Sequence, residues 1–261
     1  MELLTSKNNP RVKGAAALLD RRERKKTGRF LLEGARLCAD AADNGVVVET
    51  LLLTERAAEE YAAECERVRG AAREAFLLSE EAAEKLSDTQ NSQHFFCVCR
   101  RNDAALAIDP RGLYVFLDGV QNPDNLGAVS RTAEALGFTG LIVGAGCDPY
   151  SPKALRASMG ALLRFPVMAA ADGGAWLRGC LEKGLRVLAT VPDPQADDIT
   201  KLSLTSGAVL VIGNEGSGVS EETLSLCTDR VTIPMAGKAE SLNAAAAAAI
   251  SMFVLKQKNM E

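Results

Sequence analysis

The sequence predicts an α/β protein in two parts: a smaller α/β domain over residues 1–105 and a larger domain over residues 112–261. Three observations lead there. Short runs rich in Val, Ile, Leu and Phe alternate with helix-like stretches, the pattern of strands and helices in turn. A polar stretch ending in Asp109-Pro110-Arg111-Gly112 interrupts the alternation and reads as a linker. Residues 209–250 then bring two strand ends and a helix start into one short span. VLVI stops at Gly213, with Gly216 and Gly218 following around Glu215. VTI stops at Pro234, and a loop leads to Ser241-Leu242-Asn243 and six alanines. A buried strand closing on glycine has this form. Glycine lets backbone approach a ligand or take a positive φ, and alanine is the best helix former, so a helix starts near Ser241. Taken singly, Ser241 and Asn243 are ordinary capping residues. The order of the pieces makes Glu215, Ser241 and Asn243 a candidate site.

Composition narrows the function. Of 261 residues, 47% are hydrophobic and 25% charged, as in a soluble globular protein. There is no run of about 18 apolar residues and no signal-peptide pattern, so a cytoplasmic protein with no membrane partner is expected. Seven cysteines include no C-x-x-C pair, which points to neither a disulfide framework nor a zinc site; no metal is expected. The single histidine, His94, lies far from the glycine loops and excludes a histidine triad or cluster there. Chemistry at the site falls to Arg, Glu, Ser, Asn or backbone groups. A net charge of −4 argues against a strongly basic nucleic-acid binder, but charge is uneven. Residues 1–36 carry ten Lys/Arg and four Asp/Glu; residues 37–90 carry five and thirteen. A local basic patch of that kind is a footprint for phosphate backbones.

Taken in order, a helix begins near Asn9-Pro10 with Val12, Ala15, Ala16, Leu18 and Leu19 on its apolar side. The run RRERKKTGR, residues 21–29, holds six basic residues and one acid. It reads either as a solvated helix end or as a nucleic-acid contact. Residues 30–32 form a strand, 35–44 a helix, 46–53 a strand, 55–67 an acidic helix and 75–78 a strand. Ser79 caps a helix to Leu86, and residues 95–99 form another strand, with Cys97 and Cys99 on one face as core. Beyond the linker, residues 113–117 form a strand. Pro123-Asp124-Asn125 starts a helix with Ala128, Val129, Thr132, Ala133 and Leu136 on one face, ended by Gly137. Asn125 falls at its cap or first turn, with Arg131 six residues on. Residues 141–143 form a strand, 151–163 a Pro-started helix, 167–169 a strand, 175–183 a helix and 187–191 a strand closed by Pro192. Residues 193–207 are loop, and the last helix ends near Gln257.

Three blocks now stand in order: DGVQNPDNLGAVSRTAEALG at 118–137, LVIGNEGSG at 210–218 and IPMAGKAESLNAA at 233–245. Together they resemble the three signature motifs of the SpoU (TrmH) family of RNA ribose 2′-O-methyltransferases, within the SPOUT superfamily. The resemblance covers roughly residues 112–258. Residues 1–105 resemble, more loosely, the small ribosomal-protein-like substrate-binding domain found before this catalytic domain. The resemblance implies an α/β sheet whose C-terminal segment threads a deep trefoil knot, a topology otherwise nearly absent from proteins. It implies S-adenosylmethionine as cofactor, in contact with Thr190, Val191, Ile212, Gly213, Ile233, Met235 and Leu242, and a homodimer whose site is completed across the subunit interface.

Family roles fall on Asn125, Arg131, Glu215, Ser241 and Asn243. The implied reaction moves a methyl group to a ribose 2′-hydroxyl, most naturally in large-subunit ribosomal RNA. Transfer RNA, or RNA binding without catalysis, are the alternatives. Guanidinium stays protonated, so Arg131 is expected to grip a phosphate and polarise the hydroxyl rather than act as a base. Asn125 would hold Arg131 or the ribose, and Glu215 would pair with Arg131 or shape the cofactor loop. Ser241 and Asn243 would order the third loop and contact the target nucleotide. Arg21, Arg22, Arg24, Lys25, Lys26, Arg29 and Arg36 would hold RNA, with affinity falling steeply in salt. An ordinary nucleotide-binding enzyme is disfavoured, since neither G-x-G-x-x-G nor G-x-x-x-x-G-K-[ST] occurs.

Overall fold

The computed structural model describes residues 1–258 and divides into two compact units. The first contains Met1–Asn102 and Tyr150–Arg164; the second contains Asp103–Pro149 and the chain from Phe165 onward. The expected larger domain included residues 150–164, so this stretch falls differently. Side-chain pairing explains it. The Tyr150 ring packs on Phe30 at 4.9 Å, and its hydroxyl donates to the Asn102 carbonyl at 2.7 Å. Arg156 pairs with Asp88 at 2.7 Å, and Arg164 pairs with Asp40.

The first unit has one sheet of five strands: β1 (Glu2–Leu4), β2 (Arg29–Glu33), β3 (Val48–Leu53), β4 (Glu74–Leu78) and β5 (Phe95–Arg100). Their order is β1-β4-β3-β5-β2. β4 runs parallel to β1 and β3, whereas β5 runs antiparallel to β3 and β2. One face buries Leu31, Leu52, Phe76, Phe96 and Val98 with Val12 and Leu18 from the first helix, Pro10–Ala17. Cys97 and Cys99 are fully buried, as their spacing predicts. The basic run forms a helix of its own, Arg21–Thr27. Asp20 caps it by accepting from the Arg22 amide, and Gly28 ends it at φ +65°. The acidic helix breaks at Tyr61 into Glu55–Glu60 and Ala62–Ala71.

In the second unit seven strands form one parallel sheet: β6 (Leu113–Asp118), β7 (Gly140–Val143), β8 (Val167–Ala169), β9 (Arg186–Thr190), β10 (Asp197–Asp198), β11 (Ala208–Gly213) and β12 (Asp229–Thr232). The order is β10-β12-β9-β11-β6-β7-β8, and every recorded pairing is parallel. β11 lies at the centre with all six residues buried. Burial on both faces is why its sequence is an unbroken apolar run. From β6 the chain proceeds outward through β7 and β8, while β11 leads the other way to β12. The two directions part between β6 and β11, and open α/β sheets bind ligands at the carboxyl ends of strands beside such a point.

Candidate active site

β11 ends at Gly213, and the chain immediately folds back across itself. A methyl group on Gly213 would lie 2.2 Å from the Gly218 carbonyl carbon and the Val219 nitrogen. Glycine is therefore required by the protein's own backbone, not by a ligand. Gly218 takes the positive φ, +72°. Asn214 shapes the turn. Its Oδ1 accepts from the amides of Gly216 (2.9 Å) and Ser217 (3.0 Å), and its Nδ2 donates to the Gly119 carbonyl at 2.8 Å. Asp118, at the end of β6, accepts from the Ser220 amide at 2.7 Å. The loops after β6 and β11 are thus stitched together.

Glu215 sits where they meet. Its carboxylate accepts from the amides of Gln121 (3.1 Å) and Asn122 (3.0 Å) and from Asn125 Nδ2 (2.9 Å). Asn122 caps the helix Pro123–Ala135, so the carboxylate also lies at the positive end of a helix dipole. Asn125, buried at 5% exposure, accepts in turn from Asn243 Nδ2 at 3.1 Å. Asn243 Oδ1 takes the amides of Ala245 (2.9 Å) and Ala246 (3.2 Å). A continuous polar chain therefore runs Glu215–Asn125–Asn243 and ends on the N-terminus of the helix Ala244–Lys258. Partial burial pushes the Glu215 carboxyl up. The Asn125 amide and the backbone amides of Gln121, Glu215 and Asn122 outweigh it and hold the group below the ordinary carboxylate range.

Of the two alternatives expected for Glu215 and for Asn125, the one that involves Arg131 is absent. Glu215 does not pair with Arg131, and Asn125 does not hold it, because both polar groups are engaged in the chain just described. Arg131 is exposed on the helix Pro123–Ala135, its side chain makes no hydrogen bond or ion pair among the described residues, and it lies outside the cavity. The last helix, expected to start near Ser241, begins at Ala244 with Asn243 as its cap. Ser241 is exposed and makes no hydrogen bond among the described residues.

Beside this chain opens a cavity of about 400 Å³ at the carboxyl ends of β9, β11 and β12. Thr190, Val191, Ile212, Gly213, Ile233, Met235 and Leu242 all line it, together with Glu215, Ser241 and Asn243. Thr190 donates its hydroxyl to the Val211 carbonyl at 2.8 Å, tying β9 to β11 at the rim. Sequence reasoning passed over Asn214. The signal was available: Asn bonds the backbone two residues on and sits between Gly213 and Glu215.

Residues 112–253 match the SpoU rRNA Methylase family. This chain belongs to that family. Residues 9–97 match the MRM3-like substrate binding domain. A 23S rRNA (guanosine(2553)-2'-O)-methyltransferase, RlmP, from Bacillus subtilis is 31% identical over 98% of this chain and 100% of its own length. A 23S rRNA (uridine(2479)-2'-O)-methyltransferase from Streptomyces viridochromogenes is 31% identical over 96% of this chain and 90% of its own. The crystal structure of an AdoMet-bound rRNA methyltransferase from Sinorhizobium meliloti superposes with a TM-score of 0.86 at 29% identity, covering 98% of this chain and 97% of that one.

In this SpoU family member the basic residues of the first unit separate into two kinds. Arg21, Arg22, Lys25, Lys26, Arg29 and Arg36 are exposed. Arg24 is 3% exposed, and its Nη1 donates to the carbonyls of Leu18 and Leu19 at 2.8 Å each. It closes the end of the helix Pro10–Ala17 and does not face RNA as expected. Among the described residues no group of His, Cys, Asp and Glu is arranged to hold a metal, and no helix is long and apolar enough to cross a membrane.

Proposed function

We propose that this chain transfers a methyl group from S-adenosylmethionine to a ribose 2′-hydroxyl of large-subunit ribosomal RNA, in the cytoplasm and as a homodimer. One observation carries the reading. A single cavity gathers all seven residues expected to hold the cofactor, and the Glu215–Asn125–Asn243 chain borders it. The residues suit S-adenosylmethionine. The volume lies in the range of about 300–1,000 Å³ common for small ligands. Val191, Ile212, Ile233 and Leu242 offer apolar walls to a purine. The backbone amides of Met235 and Leu242 have no protein partner among the described residues and are free to bond its polar edges. Bound there, the cofactor supplies a methyl group already activated on a sulfonium.

The protein's own part is alignment, which contributes about 7 kcal/mol or more in good cases. Glu215 and Asn125 hold the loops after β6 and β11 in register. Asn243 orders the start of the last helix, and Ser241 faces the incoming nucleotide. Arg131 grips the phosphate beside the target ribose and polarises the 2′-hydroxyl. A guanidinium is a cation that cannot act as a base here, so Arg131 does not take the proton. Its exposed, unpartnered place outside the cavity fits a dimer in which Arg131 of one protomer serves the cavity of its partner. Ile250 and Phe253, three residues apart on the last helix, are 42% and 55% exposed and suit a helix seam between protomers. The knot has its support in the return of the chain. From β12 it passes the ends of β9 and β11 and packs the last helix on Pro123–Ala135.

Two measurements test the proposal. Isothermal titration with S-adenosylmethionine is expected to give a saturable heat; none would leave a non-catalytic RNA binder. Mapping alkali-resistant linkages after incubation with protein-free ribosomal and transfer RNA is expected to place 2′-O-methyl groups in the former. Methylation of transfer RNA alone would overturn the substrate. DNA, lacking the 2′-hydroxyl, is expected to remain unmodified.

A further inference from the structure

The first unit carries a second cavity, of about 610 Å³, on the sheet face beside the basic helix. Its floor is apolar, from Leu18, Leu52 and Val98, and its rim is set with Arg11, Arg29, Arg73 and Arg100. Gly14 leaves that rim open, since a methyl group there would meet nothing within 4 Å. Three acids, Glu23, Glu49 and Glu74, share the rim. Glu23 is taken by Lys26 at 3.2 Å, and Glu74 by Arg11 at 2.5 Å. The balance therefore stays positive.

The arrangement around Glu49 is specific. This carboxylate is 8% exposed, forms an ion pair with Nε of Arg29 at 2.6 Å, and accepts a hydrogen bond from Nε of Arg100. In each arginine Nε is the atom nearest the carboxylate. The terminal Nη groups of both make no hydrogen bond among the described residues, and their side chains are 47% and 54% exposed. Arg73 is exposed and forms no ion pair among the described residues. One buried acid thus orients two guanidinium forks and leaves their outer donors for a ligand. Forks of that kind match phosphate oxygens bidentately, and fixing them beforehand lowers the ordering cost of binding.

We infer that this groove docks a single-stranded stretch of the RNA substrate. Phosphates lie on the outer Nη groups of Arg29 and Arg100 and on Arg73, and one unstacked base lies on the Leu18, Leu52 and Val98 floor. The inference rests on RNA being the substrate, and it adds Arg73 and Arg100 to the residues that meet it. Phosphate contact supplies affinity here, and an apolar floor accepts any base face.

The test uses the full chain and a labelled single-stranded RNA of about ten nucleotides, with binding followed by anisotropy against salt. Arg73→Glu is expected to weaken binding about tenfold, and Arg29→Gln and Arg100→Gln are each expected to flatten the logarithmic salt slope by about 0.7 per lost phosphate contact. Arg73→Gln, with circular dichroism, serves if the charge reversal unfolds the unit. S-adenosylmethionine affinity is expected to stay unchanged in all of them. Binding within about twofold of the parent in Arg73→Glu, with unchanged slopes in the other two, overturns the groove. If those variants also methylate ribosomal RNA as the parent does, the activity stands and only the groove falls. If the parent binds the oligonucleotide through these arginines yet methylates no RNA, the groove stands and the activity falls.

Discussion

Glu215 holds two loops together by accepting three hydrogen bonds, and its depressed titration gives that clasp a direction in pH. A carboxyl that titrates lower when folded than its free value of 4.5 stabilises the fold above that value. The contribution is lost as pH falls below 4.5 and through the depressed folded value. Glu215→Gln keeps the shape but presents an amide NH₂ to backbone donors. It is therefore expected to lower melting temperature at neutral pH, with the gap to the parent closing as acid protonates Glu215. A gap that stays constant with pH would contradict the clasp. S-adenosylmethionine affinity is expected to fall about tenfold in the same variant, read by titration. Arg24 gives the opposite case, a charge in the basic run that acts inward. Arg24→Ala removes two charge-assisted bonds to the carbonyls of Leu18 and Leu19. It is expected to cost about 2–3 kcal/mol in urea unfolding and to leave the salt dependence of RNA binding unchanged. Lys25→Ala, at an exposed position, is expected to do the reverse.

Among the elements, the turn after β11 is the most tightly constrained. Gly213→Ala would drive its methyl group into backbone atoms 2.2 Å away and is expected to cost more than about 3 kcal/mol. Gly216→Ala, where the methyl group would meet only Asn214 Oδ1 at 3.6 Å, is expected to stay within about 1 kcal/mol. Equal unfolding free energies for the two would refute the crossing as the reason for Gly213. This turn also marks how far the sequence could be read. β11 is legible because burial on both faces demands a continuous apolar run, and glycine after it announces a loop. That Gly213 avoids the chain's own Val219 rather than a ligand is not legible, since it depends on where the loop returns. β1 and β10 are too short, at three and two residues, to show any period, and exist because β4 and β12 offer them a parallel edge. Arg24 reads like its neighbours in the run because only the end of the preceding helix sets it apart. Residues 150–164 follow the first unit through Tyr150 on Phe30 and Arg164 on Asp40, partners more than a hundred positions away. Local pattern holds no record of such pairs. Asn125, Glu215 and Asn243 were legible as a set through the three motifs, but their hydrogen-bonded order was not.

For the whole molecule, the proposed role of Arg131 requires it to reach a ribose at a cavity that does not include it. The proposed two-fold dimer would answer this, because an isologous contact would give each cavity one arginine from the other protomer. Ile250 and Phe253 are exposed and would give that proposed contact an apolar seam. Phe253→Asp buries a charge in the seam and is expected to yield monomers in analytical ultracentrifugation, with S-adenosylmethionine binding weakened and methylation lost. Complementation separates the shared-site reading from a dimer with self-contained sites. Arg131→Ala chains keep an intact cavity, and Asn243→Ala chains keep an intact arginine. Each alone is expected to be inactive. Unfolded together and refolded at equal concentration, half of the dimers pair one chain of each kind. Every such dimer holds one cavity with Asn243 facing the other protomer's Arg131, so about a quarter of the parent activity is expected to return. If Arg131 served the cavity of its own chain, each site in the mixed dimer would still lack one residue. The mixture would then stay as inactive as its components, and the assignment of Arg131 across the seam would be wrong.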